Sequence, residues 1–145
     1  MKKIPALLLL LLMCSGAQSE TTSSKDIAGD IIGRHLFALQ WISDWEKNFG
    51  AAVIEKNDGV ITINAKEREG EDYIILQGTI EIISNTEFKV NGSLVTRVSY
   101  LNTGDPCERN GIFTFKKTGK KKYYRMQEME SPCGAYTDYV DIFLN

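Results

Sequence analysis

Two long segments alternate apolar and polar residues at period two, and they restrict the chain to an antiparallel sheet architecture. Over 73–83 the even positions hold Ile74, Leu76, Gly78, Ile80 and Ile82, and over 87–101 they hold Phe88, Val90, Gly92, Leu94, Thr96, Val98 and Tyr100. Such alternation sets one face against a core and the other in water. Asn91-Gly92 is ordinarily a hairpin turn, yet the even phase runs through it unbroken, whereas a two-residue turn would put Val90 opposite Ser93. Residues 87–101 are therefore expected to form one strand bent at Gly92, with a matching bend at Gly78. Glycines inside long strands mark places where a sheet curls sharply. Two of them in neighbouring strands favour a closed or nearly closed barrel.

The remaining segments fill in the sheet. Residues 51–56 and 60–65 flank Asn57-Asp58-Gly59, a tight-turn signal, and predict a hairpin; 66–72 reads as a charged connection. Residues 111–117 and 122–129 form another hairpin around Thr118-Gly119, and 136–144 is the last strand. Ahead of these, Ile27, Ile31, Ala38, Ile42, Trp45 and Phe49 recur at helical spacing, with Gly50 as a stop. The expected fold is mainly β (α+β): an N-terminal amphipathic helix over 27–49, packed on a small antiparallel β-barrel or strongly curled sheet of about seven strands. Trp41 and Trp45 stand one helical turn apart, placed to pin the helix onto the sheet or to lid a ligand. An outer-membrane barrel needs at least eight strands with an apolar outward face, whereas the outward positions here carry Lys and Glu.

The N-terminus predicts export. Met1-Lys2-Lys3 precedes a ten-residue apolar stretch with six consecutive leucines, and Ser15-Gly16-Ala17 offers small residues for cleavage before Gln18. A membrane-spanning helix needs about 20 apolar residues. Residues 1–17 are thus read as a signal peptide in a bacterial style, 18–25 as a polar leader, and 26–145 as a single domain that is not an integral membrane protein. Lipidation at Cys14 is the minor alternative, poorly served by Met13 before it. The implied location is periplasmic or secreted. In such a compartment Cys107 and Cys133 are expected to form one structural disulfide, because the Cys-x-x-Cys spacing of a redox pair is missing.

Catalytic signals are thin, and no catalytic residue is assigned. The chain carries no phosphate-binding glycine loop, Gly-x-Ser-x-Gly or His-Glu-x-x-His, and no cofactor or metal is expected. His35 is the single histidine, so a hydrolytic triad or a zinc site would have only one imidazole to use. Asp138 shares phase with Val140 and Ile142 and is a candidate buried acid. It would need a partner among Arg97, Arg109 and Arg125, or would act with a second carboxylate on a glycan.

Charge is distributed unevenly. Of 17 basic and 19 acidic residues in the chain, seven basic ones and no acid fall within 109–127: Arg109, Lys116, Lys117, Lys120, Lys121, Lys122 and Arg125. Tyr123 and Tyr124 lie among them. This run reads either as lysines guarding a sheet edge or as a surface for lipid headgroups, an anionic envelope polymer or an acidic protein; an exported protein rarely meets nucleic acid, and none is expected.

The alternation resembles, in architecture only, the lipocalin-like binding barrels. Their Gly-x-Trp near the first strand is absent, since Trp41 and Trp45 fall in the predicted helix. The resemblance implies a non-enzymatic barrel that binds a lipid or other small apolar ligand through Trp41, Trp45, Phe88, Leu94, Val98 and Tyr100; the inward even-phase residues Leu76, Phe88, Leu94, Val98 and Tyr100 would line either a cavity or a filled core. The alternatives are a protein-interaction or inhibitor module acting through the basic hairpin, and a carboxylate-dependent glycan hydrolase using Asp138.

Overall fold

A computed structural model describes residues 27–144. The signal peptide, the polar leader and Cys14 lie outside the described residues. The chain forms a short helix, α1 (Ile27–Ile31), and eight strands: β1 (Gly33–Leu39), β2 (Gly50–Asn57), β3 (Val60–Glu69), β4 (Asp72–Ser84), β5 (Glu87–Arg97), β6 (Cys107–Lys116), β7 (Tyr123–Met126) and β8 (Val140–Phe143). The strands run antiparallel in sequence order and close into a barrel through β1 and β8.

The predicted 27–49 helix is corrected to a helix of five residues followed by a strand. Gly33 adopts φ +126°, outside any helical conformation, and turns the chain into β1. Residues 33–39 satisfy both periods on paper. His35, Phe37 and Leu39 point inward and are buried. The strand wins because it hydrogen-bonds β2 on one side and β8 on the other. A helix there would leave two open sheet edges. The expected strand count of about seven becomes eight for the same reason. Ile27, Ala28 and Ile31 are buried in the core. The ring Nε2 of His35 donates to the Ile31 carbonyl (2.7 Å), which gives the last turn of α1 a partner.

The bend glycines behave as the alternation implies. Gly78 pairs with Gly92, and Gly92 with Gly111, so three strands are glycine at one level of the barrel. A Cβ on Gly92 would meet the Gln77 carbonyl oxygen and come within 2.6 Å of the Gly78 Cα. Only glycine lets the backbones approach this closely. The Asp58-Gly59 turn has positive φ at both residues (50° and 80°), matching the twist of a two-residue hairpin. β3 runs on to Glu69, so the predicted 66–72 connection is mostly strand, and Glu67 points inward.

Inside, Phe88 stacks on Phe115 (5.3 Å between centroids) and tilts against Tyr124 (5.0 Å). Together with Leu76, Leu94, Val98 and Met126 these side chains belong to one continuous buried cluster. The predicted disulfide is present between Cys107 and Cys133, with Cα atoms 6.0 Å apart. It ties the start of β6 to the largely irregular 127–139 segment. Closing a loop of this length is worth about 3 kcal/mol on the chain-entropy argument.

Gly92→Ala is expected to destabilise the protein by about 2–4 kcal/mol, since the added methyl strikes backbone that cannot move independently. Gly29→Ala, whose Cβ meets nothing within 4 Å, should be neutral or slightly stabilising. Urea unfolding of both variants checks the contrast.

Candidate functional site

The barrel has two distinct ends. At one, α1 joins β1 and the 117–122 tip links β6 to β7. At the other, the disulfide, the 40–49 segment and the 98–106 segment gather.

The disulfide end holds two buried carboxylates. Asp138 is 1% exposed. Its Oδ1 accepts from the Trp41 indole N–H (3.1 Å), and its Oδ2 lies 3.9 Å from Nη1 of Arg109. Of the three candidate guanidiniums the structure therefore selects Arg109. Arg97 pairs with Asp72 at 3.2 Å, and Arg125 grips Asp141 in a two-pronged pair at 2.8 and 2.7 Å. Burial raises the Asp138 pKa, opposed by the Trp41 hydrogen bond and the Arg109 charge. Glu67 is the second carboxylate. Its Oε2 accepts from the Leu39 backbone N–H (2.8 Å) and the Ser43 hydroxyl (3.0 Å), which holds the turn leaving β1. Burial raises its pKa as well, opposed by the Ser43 and Leu39 hydrogen bonds. Sequence reading missed Glu67, although the phase of Ile61, Ile63 and Ala65 continues straight to it. These contacts make Asp138 and Glu67 anchors for irregular segments over the barrel mouth.

The expected ligand residues separate. Phe88, Leu94 and Val98 are core side chains at 4% exposure or less. Trp41 is part-buried between Asp138 and the core. Tyr100 lies exposed, its hydroxyl donating to the Trp41 carbonyl (2.9 Å). Trp45 is on the outside, 62% exposed. With β1 a strand, the two tryptophans no longer share a helical face.

The basic run also divides. Arg109 points inward to Asp138, Arg125 is taken up by Asp141, and Lys116 pairs with Glu87 at 3.7 Å. Lys117, Lys120, Lys121 and Lys122 instead surround a depression of about 330 Å³ with Gly119 and Leu144. Among the described residues, none of these four has a carboxylate within ion-pair distance. Lys121 Nζ lies 5.5 Å from the Tyr123 ring.

Tyr123 leads from the lysines into an outer aromatic cluster. Its ring is 5.4 Å from Phe143, which sits 5.6 Å from Trp45 and 5.7 Å from Phe49. The cross-strand pairs explain the assembly: Tyr123 faces Phe143 and Phe143 faces Leu36, all on the outer side. The 43–49 segment then folds back to lay Trp45 and Phe49 against them. One level along, Arg125 and Asp141 lie beside Ala38, and the guanidinium covers the rings of Tyr123 (5.1 Å) and Tyr139 (4.5 Å). Sequence reading did not find Leu36, Phe49, Phe143 or Tyr139 as a surface group. The only signal was an aromatic in outward phase on the last strand.

A carboxyl whose pKa is raised by folding binds its proton more tightly in the folded chain. Its stabilising contribution is complete below the ordinary carboxylate range and is lost as pH rises through the folded value. Glu67→Gln should therefore gain stability relative to the wild type as pH rises above the ordinary carboxylate range, because the amide keeps the neutral form that burial favours. Thermal melts of both proteins across that rise in pH measure it.

Comparison with known proteins places this barrel. A family model described as the PM1083 family matches residues 18–144. The uncharacterised protein PM1083 of Pasteurella multocida (strain Pm70) is 41% identical over 117 residues, covering 81% of this chain and 75% of that protein. No solved structure matches significantly. With nearly the whole β domain inside the match, the chain belongs to the PM1083 family.

Proposed function

We propose that the protein is a non-enzymatic binding module of the bacterial cell envelope, which engages an anionic partner through the outer surface at the 117–122 tip. The observation that carries this reading is the division of the basic run. Three of its seven cations are committed to carboxylates of the fold, while Lys117, Lys120, Lys121 and Lys122 converge on one depression without a counter-charge among the described residues. Unpaired like charges repel one another, and an anionic partner relieves that repulsion. The disulfide is compatible with an oxidising, extracytoplasmic location, and export through residues 1–17 is part of the proposal. Among the described residues no helix is long and apolar enough to cross a membrane.

Packing favours the outer surface over the lumen. A lipid or small apolar molecule inside the barrel would have to displace Phe88, Leu94 or the Phe115 and Tyr124 rings against Phe88, all of them members of one buried cluster. Asp138 is likewise engaged by Trp41 and Arg109, which supports a structural role over glycan hydrolysis.

The test uses immobilised heparin as a lipid-free polyanion. Because the chain carries more acidic than basic residues, retention requires a local basic surface. Wild-type protein should be retained and released by salt, and the Lys120→Glu, Lys121→Glu, Lys122→Glu triple variant should flow through with an unchanged melting temperature. Absence of wild-type retention, or equal retention of the variant, overturns the proposal.

A further inference from the structure

The structure points to a more specific partner, and we infer that the lysine tip and the outer aromatic cluster together form a docking surface for an anionic lipid bilayer. This inference rests on the reading of the tip as an anion-binding surface and names the anion's source.

Two independent features of the molecule carry it. The first is composition. Trp45, Tyr123 and Phe143 form one aromatic surface, of which Trp45 is the most exposed member, and Lys121 lies against Tyr123 at its edge. Aromatic side chains with a polar tip and long cationic side chains are the residues that settle at the headgroup level of a bilayer, the ring in the interface and the ammonium on the phosphates.

The second is the kind of cation left over. Both arginines of the basic run are held by acids, Arg109 by Asp138 and Arg125 by Asp141. Only lysines remain. A lysine is a flexible point charge without the planar fork that reads one carboxylate or phosphate in fixed geometry. A set of such charges suits a laterally mobile field of phosphodiesters better than a single shaped acidic epitope.

Protein purified from its own cells, with the N-terminus of wild type and variants shown to be identical by intact mass, is mixed with vesicles and sedimented. Vesicles of phosphatidylcholine alone are compared with vesicles containing about a quarter phosphatidylglycerol. Wild-type protein should partition at least tenfold more strongly to the anionic vesicles, with a blue shift of tryptophan emission that raised salt reverses. The Lys120→Glu, Lys121→Glu, Lys122→Glu variant should lose at least tenfold of that binding. Trp45→Ala should lose several-fold and most of the emission shift. Equal binding to both vesicles, or none to either, overturns the inference. If vesicles fail while heparin still retains the wild type, the lipid assignment falls and the anion-binding surface stands. If both fail, both readings fall.

Discussion

The strand Gly33–Leu39 hydrogen-bonds β2 along one edge and β8 along the other, and the rest of the structure depends on that double pairing. A meander of seven strands would end in two open edges, each a row of unsatisfied backbone groups. Closing it removes both edges and encloses one continuous cluster of buried side chains. Closure also dictates what the outside looks like. Because β8 lies between β1 and β7, Leu36, Phe143 and Tyr123 come side by side on the outer surface, although 107 residues of sequence numbering separate the first two. The aromatic cluster is thus a consequence of closing the barrel.

Closure creates a second problem at the disulfide end, where irregular segments must cross the mouth. Three devices hold them there. Glu67 accepts from the Leu39 N–H and Ser43, Asp138 accepts from Trp41 opposite Arg109, and the Cys107–Cys133 bond tethers the 127–139 segment. Each buried carboxylate carries a desolvation penalty that hydrogen bonds offset in part.

The functional reading depends on the same sorting of charges. A run of seven cations in sequence is ambiguous, since each can balance an acid of the fold or face outward. Tertiary structure resolves this residue by residue. Arg109 points inward because it lies opposite Leu94 on the core side, and Arg125 meets Asp141 across the β7–β8 pair. The lysines beyond the strand ends have no such neighbour among the described residues, and they are the ones the proposed binding surface is built on.

The sequence by itself determined the antiparallel architecture, the unbroken strand through Gly92, the Asp58-Gly59 hairpin and the disulfide; the phase that pointed Asp138 inward assumed a strand over 136–144, whereas β8 begins at Val140. The features read correctly follow from simple rules: period-two alternation, turn chemistry and the pairing of two cysteines. Only the tertiary structure decided that 33–39 is a strand, that Glu67 is buried, which arginine answers Asp138, and that Trp45 lies against Phe143. Those outcomes depend on long-range pairing. A seven-residue segment compatible with both helix and strand takes the conformation that its neighbours in the sheet can hydrogen-bond, and a cation takes the partner that the register brings to it. Neither neighbour is adjacent in the chain, so no local pattern encodes the choice.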